Sequence, residues 1–253
     1  MASLHSLTEL LDSELSLAST PDYPGAVNGL QLENGSGHIA RIIAAVDACE
    51  PVIEQAARAD GPVLLIVHHG LFWSGVQPMR GPVFRKTATA IRAGMAIYSA
   101  HIPLDVHPRH GNNAQLAAAL GIRRTSPFFP WKGIQLGVSA TVSMTRETLV
   151  QRCESALGGP VHLCPGGPRK IRRLGIITGG AGSEIAAAAA TGIDTFLTGE
   201  GPHWSYTAAE ELGVNLLYGG HYATETFGVK ALAAWLAART RLPWSFLDHP
   251  TGL

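Results

Sequence analysis

Leu4, Leu7, Leu11 and Leu15 recur at helical spacing with acids between them, which predicts an amphipathic opening helix. The next stretch, Asp22 to Gln31, is dense in turn formers and predicts a loop. Ile39 to Val46 predicts a strand, and Pro51 to Asp60 a helix with its proline in the first turn, where a missing N–H costs little. Val63 to Val67 is a continuous apolar run of the kind found in strands buried on both faces, and it ends at His68-His69-Gly70. A helix over Phe84 to Ala93 and a strand over Met95 to Ala100 lead to His101-Ile102-Pro103-Leu104-Asp105. An Ala- and Leu-rich helix, Asn112 to Leu120, stops at Gly121.

The Pro- and aromatic-rich stretch Ser126 to Gly133 then reads as a boundary. Beyond it, Gln135 to Ser143 alternates as a strand, Arg146 to Leu157 is helical and Pro160 to Pro168 is a loop. Strands at Leu174–Thr178, Thr195–Thr198 and Val214–Tyr218 alternate with helices at Glu184–Ala190 and Tyr206–Leu212. A long helix, Thr224 to Ala238, follows. Alternation of strand and helix predicts an α/β class. Two stretches repeat one another: helix, small residue and strand lead to Ala100-His101 with Asp105 four residues on, and to Gly220-His221 with Glu225 four residues on. This points to a duplicated α/β unit whose strand ends face a shared cleft, where ligands of open α/β sheets usually bind.

Composition narrows the possibilities. A chain of 253 residues, 46% apolar and 15% charged, is long enough for one large or two small domains with a real core. The formal net charge is zero, so no global field holds nucleic acid or an anionic membrane, and neither is an expected partner. The pairs Arg123-Arg124 and Arg172-Arg173 read as solvated surface. Three cysteines without a C-x-x-C pair argue against a disulfide framework or a cysteine zinc site, and fit a reducing cytoplasm. Met1 to Thr20 does not read as a signal peptide, and no apolar run has the length of a membrane span.

The chemistry sits where strands are expected to end. A lone buried histidine is more often a core residue than a ligand. Adjacent His68 and His69 are different: successive strand residues point to opposite faces, so both reach one site only where the strand ends and turns, and Gly70 permits that turn. His221 and Glu225 would share a helix face at i and i+4, with a first-turn carboxylate stabilised by the helix dipole as the plainer alternative. In a loop, Pro103 would turn Asp105 back towards His101. Imidazole plus carboxylate is the usual donor mix for Zn, Mn, Fe, Co or Ni. His68, His69, Asp105, His221 and Glu225 are too many for one four-coordinate ion that keeps an open position, and suit two divalent ions with a carboxylate bridging. His101 fits a ligand, an orienting group or a general acid/base. Glu200 and His203 sit at another strand end and could complete the cleft. Gly179 to Ser183 opens a helix as a phosphate loop would, but lacks a Walker lysine and the G-x-G-x-x-G pattern, so a plain tight turn reads as well. His38, His107, His110, His162 and His249 read as surface loop residues.

Several motifs together resemble one family. They are Val67-His68-His69-Gly70-Leu71-Phe72-Trp73, Tyr98-Ser99-Ala100-His101-Ile102-Pro103-Leu104-Asp105 with Gly111-Asn112-Asn113-Ala114-Gln115-Leu116, Thr198-Gly199-Glu200, and Gly219-Gly220-His221-Tyr222-Ala223-Thr224-Glu225. With the loop Asn28-Gly29-Leu30-Gln31, the chain resembles the Nif-three-like dinuclear metal centre proteins, often labelled GTP cyclohydrolase I type 2 homologues, in the short form without an inserted domain. Ala26-Val27 before Asn28 depart from the usual lead-in. The resemblance implies metal ligands at His68, His69, Asp105, His221 and Glu225. Glu225 would bridge, with His69 and Asp105 on one ion and His68 and His221 on the other. It also implies a homohexamer and two α/β domains with mixed sheets and a metal cleft between them. The expected division is 1–124 plus 217–253, carrying most ligands, and 125–216.

Two functions follow. One is a metal-dependent hydrolase of a small molecule, with GTP suggested by the family label, in which a metal-bridging hydroxide attacks and His101 or His203 moves protons. The other is a non-catalytic metal-binding or interaction scaffold.

Overall fold

The chain is mixed α/β, and the structure, a computed structural model, describes residues 1–75 and 77–253. Two compact units emerge: Met1–Leu104 with Val229–His249, and Asp105–Gly228 with Pro250–Leu253. Residues 105–124 and 217–228 therefore group with the second unit, a division different from the one the sequence suggests.

In the first unit the short strands β1 (Ala2–Ser3) and β3 (His38–Ile39) pair antiparallel at the start of α1 (Leu4–Glu14). Ser3 caps that helix, and Leu4, Leu7 and Leu11 bury its apolar stripe. Strands β2 (Gly29–Leu32), β4 (Arg41–Asp47), β5 (Val63–His69) and β6 (Ala96–Ser99) build the main sheet, with α2 (Glu50–Ala56) and α3 (Gly81–Arg92) between them in sequence. β4, β5 and β6 are parallel neighbours, and β2 adds antiparallel to β6. The apolar run of β5 is buried on both faces. Leu64 and Ile66 pack with Leu7 and Leu11, while Leu65 and Val67 pack with Val52 and Ile53 of α2. Burying each such side chain is worth about 1.5–3 kcal/mol.

The turn α4 (Ile102–Asp105) and α5 (Asn112–Ala119) precede the second sheet. That sheet contains β7 (Ser126–Trp131), β8 (Ile134–Thr145), β9 (His162–Pro165), β10 (Lys170–Ile176), β11 (Thr195–Thr198) and β12 (Asn215–Tyr218), in the order β7-β8-β10-β11-β12-β9. The helices α6 (Arg146–Leu157), α7 (Ile185–Ala190) and α8 (Trp204–Leu212) join these strands. β10, β11 and β12 form a parallel core, and the outer pairings are antiparallel. Leu149 and Cys153 of α6 and Leu116 of α5 pack on Leu174, Ile176, Leu197 and Leu217. Last come α9 (His221–Thr240) and β13 (Trp244–Phe246), which joins the first sheet beside β4 to give the order β13-β4-β5-β6-β2.

Three segments expected as boundary or loop contain strands, the first being β2 at the end of the expected 22–31 loop, where Gly29 and Leu30 pair with Ser99 and Tyr98. Ser126–Trp131 forms an edge strand, where Pro127 and Pro130 cost little because one side of the backbone needs no ladder partner. Lys132 and Gly133, both at positive φ, make the tight hairpin turn into β8. His162–Pro165 forms the opposite edge. Helix α9 begins at His221, three residues before the expected start, and Ile102–Asp105 is a helical turn, not a loop.

Candidate functional site

The first unit gathers histidines at the carboxyl ends of its parallel strands. β4 ends at Asp47, β5 at His68-His69, and β6 runs into Ala100-His101. Parallel pairing places Asp47 opposite His69, and Asp47 Oδ1 lies 2.8 Å from His69 Nδ1. His68 is fully buried, with Nδ1 2.8 Å from the carbonyl oxygen of Ala100. His101 Nδ1 lies 2.8 Å from Asp22 Oδ1. The His68 and His69 rings are 4.9 Å apart, and the ligand atoms of His68, His69 and His101 lie within 4.8 Å of one another, a group that could hold a metal ion.

The loop before β2 braces this cluster. Asp22 Oδ2 accepts from Ile102 N–H at 2.9 Å and from the Asn28 amide at 2.8 Å, while Asn28 Oδ1 accepts from His101 N–H at 2.7 Å. Burial works against the Asp22 carboxylate, but hydrogen bonds from His101, Asn28 and the Tyr23 N–H outweigh it and hold the carboxyl below its usual range. Gln31 Oε1 accepts from Leu71 N–H at 2.6 Å, and its amide fills the space a Cβ on Gly70 would need. The turn after His69 is thus fixed by Gln31.

The second unit supplies the remaining predicted ligands. Asp105 is buried; its Oδ1 accepts from Asn112 Nδ2 at 2.8 Å and faces Thr178 Oγ1 at 3.4 Å. Asn113 holds the Asp105 carbonyl and also accepts from Thr178 N–H. His221 and Glu225 lie one turn apart at the start of α9, with Nε2 and Oε2 3.2 Å apart. Glu200 Oε1 lies 2.8 Å from His221 Nδ1. Burial pulls the His221 pKa down, but the Glu225 and Glu200 carboxylates prevail and raise it to about 9. Glu225 is only 2% exposed, and Gly179, at φ +72°, lies so close to it that a Cβ would overlap Oε1.

The donor set fits a metal ion by its hydrogen bonding. Carbonyl and carboxylate oxygens only accept, so each Nδ1 facing one carries the proton. In His68, His69, His101 and His221 the Nδ1 faces such an oxygen at 2.8 Å. Nε2 is then the atom each ring could offer to a metal ion, the arrangement typical of metal-binding histidines.

Asp22, Asp47 and Glu200 orient three of these rings, yet sequence spacing singled out only Glu200. A strand ending in a carboxylate beside one ending in histidine was the available signal for Asp47. His203 is exposed at the entry to α8, and among the described residues it joins no metal-competent group. The Gly179–Ser183 loop is a tight turn, not a phosphate cradle. Gly179 N–H donates to Thr224 Oγ1, Ala181 N–H to Thr198 Oγ1 and Gly182 N–H to the Glu200 carbonyl. His107, expected at the surface, is buried, and its Nδ1 accepts from His110 N–H at 2.9 Å. Among the described residues no helix is long and apolar enough to cross a membrane.

Comparison with known proteins identifies the family. The family model Duf34/NIF3 (NGG1p interacting factor 3) matches residues 3–250. A Deinococcus radiodurans protein called "GTP cyclohydrolase 1 type 2 homolog" is 41% identical over 249 residues, covering 98% of this chain and 93% of its own. An Escherichia coli protein of the same name is 37% identical over 249 residues, covering 96% and 97%. Among solved structures, TTHA1606 from Thermus thermophilus matches with a TM-score of 0.90 and 36% identity, each chain covered completely.

Proposed function

The chain belongs to the Duf34/NIF3 family, and on that premise we propose that it is a dinuclear metal-binding protein acting as a metal-dependent hydrolase on a small molecule. His68, His69, Asp105, His221 and Glu225 are the proposed ligands, with Glu225 shared between two divalent ions (Zn, Mn, Fe, Co or Ni). One observation carries the reading: every histidine of the set has Nδ1 bound to an oxygen acceptor, which directs Nε2 to a ligand. When bound, the ions would supply Lewis acidity and make water a nucleophile near neutral pH.

The chain's own groups do the rest. Asp22 fixes the His101 ring with Nδ1 protonated, so its Nε2 lone pair can take a proton from a reacting group. His203 is the second proton carrier to test. The name borne by the relatives supports a nucleotide substrate, with GTP first. The family resemblance further implies a homohexamer, which sedimentation analysis tests, and the cysteine pattern fits a reducing cytoplasm.

The deciding experiment pairs metal content per chain with a turnover screen of nucleotides, phosphoesters and cyclic amides, using protein loaded with each metal. Turnover that depends on metal and disappears in Glu225→Ala supports the hydrolase. Full metal loading without turnover anywhere in the screen leaves the scaffold reading instead.

A further inference from the structure

Large aromatic side chains stand exposed beside the histidines of the first unit. Trp73 is 43% exposed and Tyr23 49% exposed. The Trp73 ring meets the His101 ring edge to face with centroids 4.5 Å apart, and lies 5.4 Å from the His69 ring. Tyr23 stands almost perpendicular to Trp73, at 81°, with centroids 6.4 Å apart, and its ring lies 6.2 Å from that of His101. Two rings at right angles form a corner. A planar ligand can stack on one ring and receive the edge of the other, the two arrangements aromatic pairs prefer.

The corner is tied to the histidine cluster by close contacts. Trp73 follows His69 by four residues, on the turn that Gln31 fixes. Tyr23 follows Asp22, whose carboxylate holds His101. Gly25 packs so closely on the Trp73 backbone that a Cβ would stand 2.7 Å from its carbonyl oxygen, which locks the two aromatic loops together. Two adjacent large rings left about half exposed make an apolar patch of the kind that marks binding sites.

We propose that Tyr23 and Trp73 form a stacking corner for a planar heteroaromatic ring of the substrate, presenting that ring to the His69–His101 side of the cluster. The inference rests on the proposed hydrolase reading for the identity of that cluster as the reacting centre. It narrows the substrate class from small molecules at large to those carrying a flat, unsaturated ring. Stacking of this kind tolerates many bases, because each has a π face, so Trp73 would supply affinity more than choice between bases.

The test is equilibrium binding of guanosine 5′-monophosphate, with ribose 5-phosphate as the ringless control, to full-length protein of measured metal content. Guanosine 5′-monophosphate is expected to bind at least about 10-fold more tightly than the control. Trp73→Ala is expected to weaken it by about 10-fold or more, the range that removal of one stacking aromatic produces. Trp73→Phe should recover most of the loss, with metal content and solution mass unchanged in both variants. Tyr23→Ala gives a second, smaller loss should Trp73→Ala fold poorly. Equal binding of the two probes, no binding of either, or unaltered affinity in both Trp73→Ala and Tyr23→Ala would overturn the corner. A fall in solution mass in Trp73→Ala with affinity intact would assign this face to a second copy of the chain and overturn it too. His68→Ala separates the two ideas: its metal content tests the metal site, while its ring binding should stay within several-fold of the parent.

Discussion

Asp22 and His101 lie 79 positions apart in sequence, yet the Asp22 Oδ1 and the His101 Nδ1 are 2.8 Å apart, both side chains being more than nine-tenths buried. The same carboxylate accepts from the N–H of Ile102 and from Asn28. It therefore fixes a ring, a helical turn and a loop at once. Removing it strands buried donors, at about 1–3 kcal/mol for an unsatisfied group. Asp22→Ala should lower unfolding free energy by about that amount in urea titrations, and should reduce whatever turnover the substrate screen finds more than it reduces metal content.

His69 depends on Asp47 in the same way. Carboxylates behind metal-bound histidines typically contribute 10–100-fold in affinity. Competition with a fluorescent chelator should show a loss of about 10-fold or more in metal affinity for Asp47→Ala, with secondary structure by circular dichroism unchanged.

Gly179 is required by both its backbone and its neighbour. Its φ of +72° costs a side-chain-bearing residue about 1–2 kcal/mol, and a Cβ would displace the Glu225 carboxylate. Gly179→Ala should lower the melting temperature and also reduce metal content. Gly213→Ala, at φ +68° with open space around it, should show the backbone penalty without metal loss.

The His221 imidazole gives a pH signature to the metal-free protein. Its folded pKa, raised to about 9 from 6.5, means the folded state holds the proton more tightly than the unfolded chain. The associated stability is fully present below pH 6.5 and is lost as pH rises through 9. Melting temperatures of chelator-treated protein should fall across that window, and His221→Gln should flatten the decline. A metal ion must displace this proton, so calorimetry at about pH 7.5 in buffers of different ionisation enthalpy should record release of about one proton on loading.

The parallel strands were legible because their sequences are continuous apolar runs, as in Val63–Val67, ending at histidines or glycines. The edge strands β2, β7, β9 and β13 were not: Asn28 and Gly29 mask the start of β2 as a turn, Pro127, Pro130 and Pro165 suppress the strand signal, and β13 has only three residues. His68, His69, Asp105, His221 and Glu225 stood out through adjacency and four-residue spacing. Asp22 and Asp47 did not, because a carboxylate behind a histidine needs only to be near it in space. His107 misled for the opposite reason: a histidine between turn formers resembles surface until the backbone donors that enclose it are visible.

The register of β4 against β5 has a consequence beyond the site. Asp47 lies directly opposite His69, and a slip of one residue would send either side chain to the other face of the sheet. A misregistered chain could retain much of its secondary structure and still fail to orient the His69 ring. Metal retention would then report the register, separating chains whose sheet is in frame from those that have slipped.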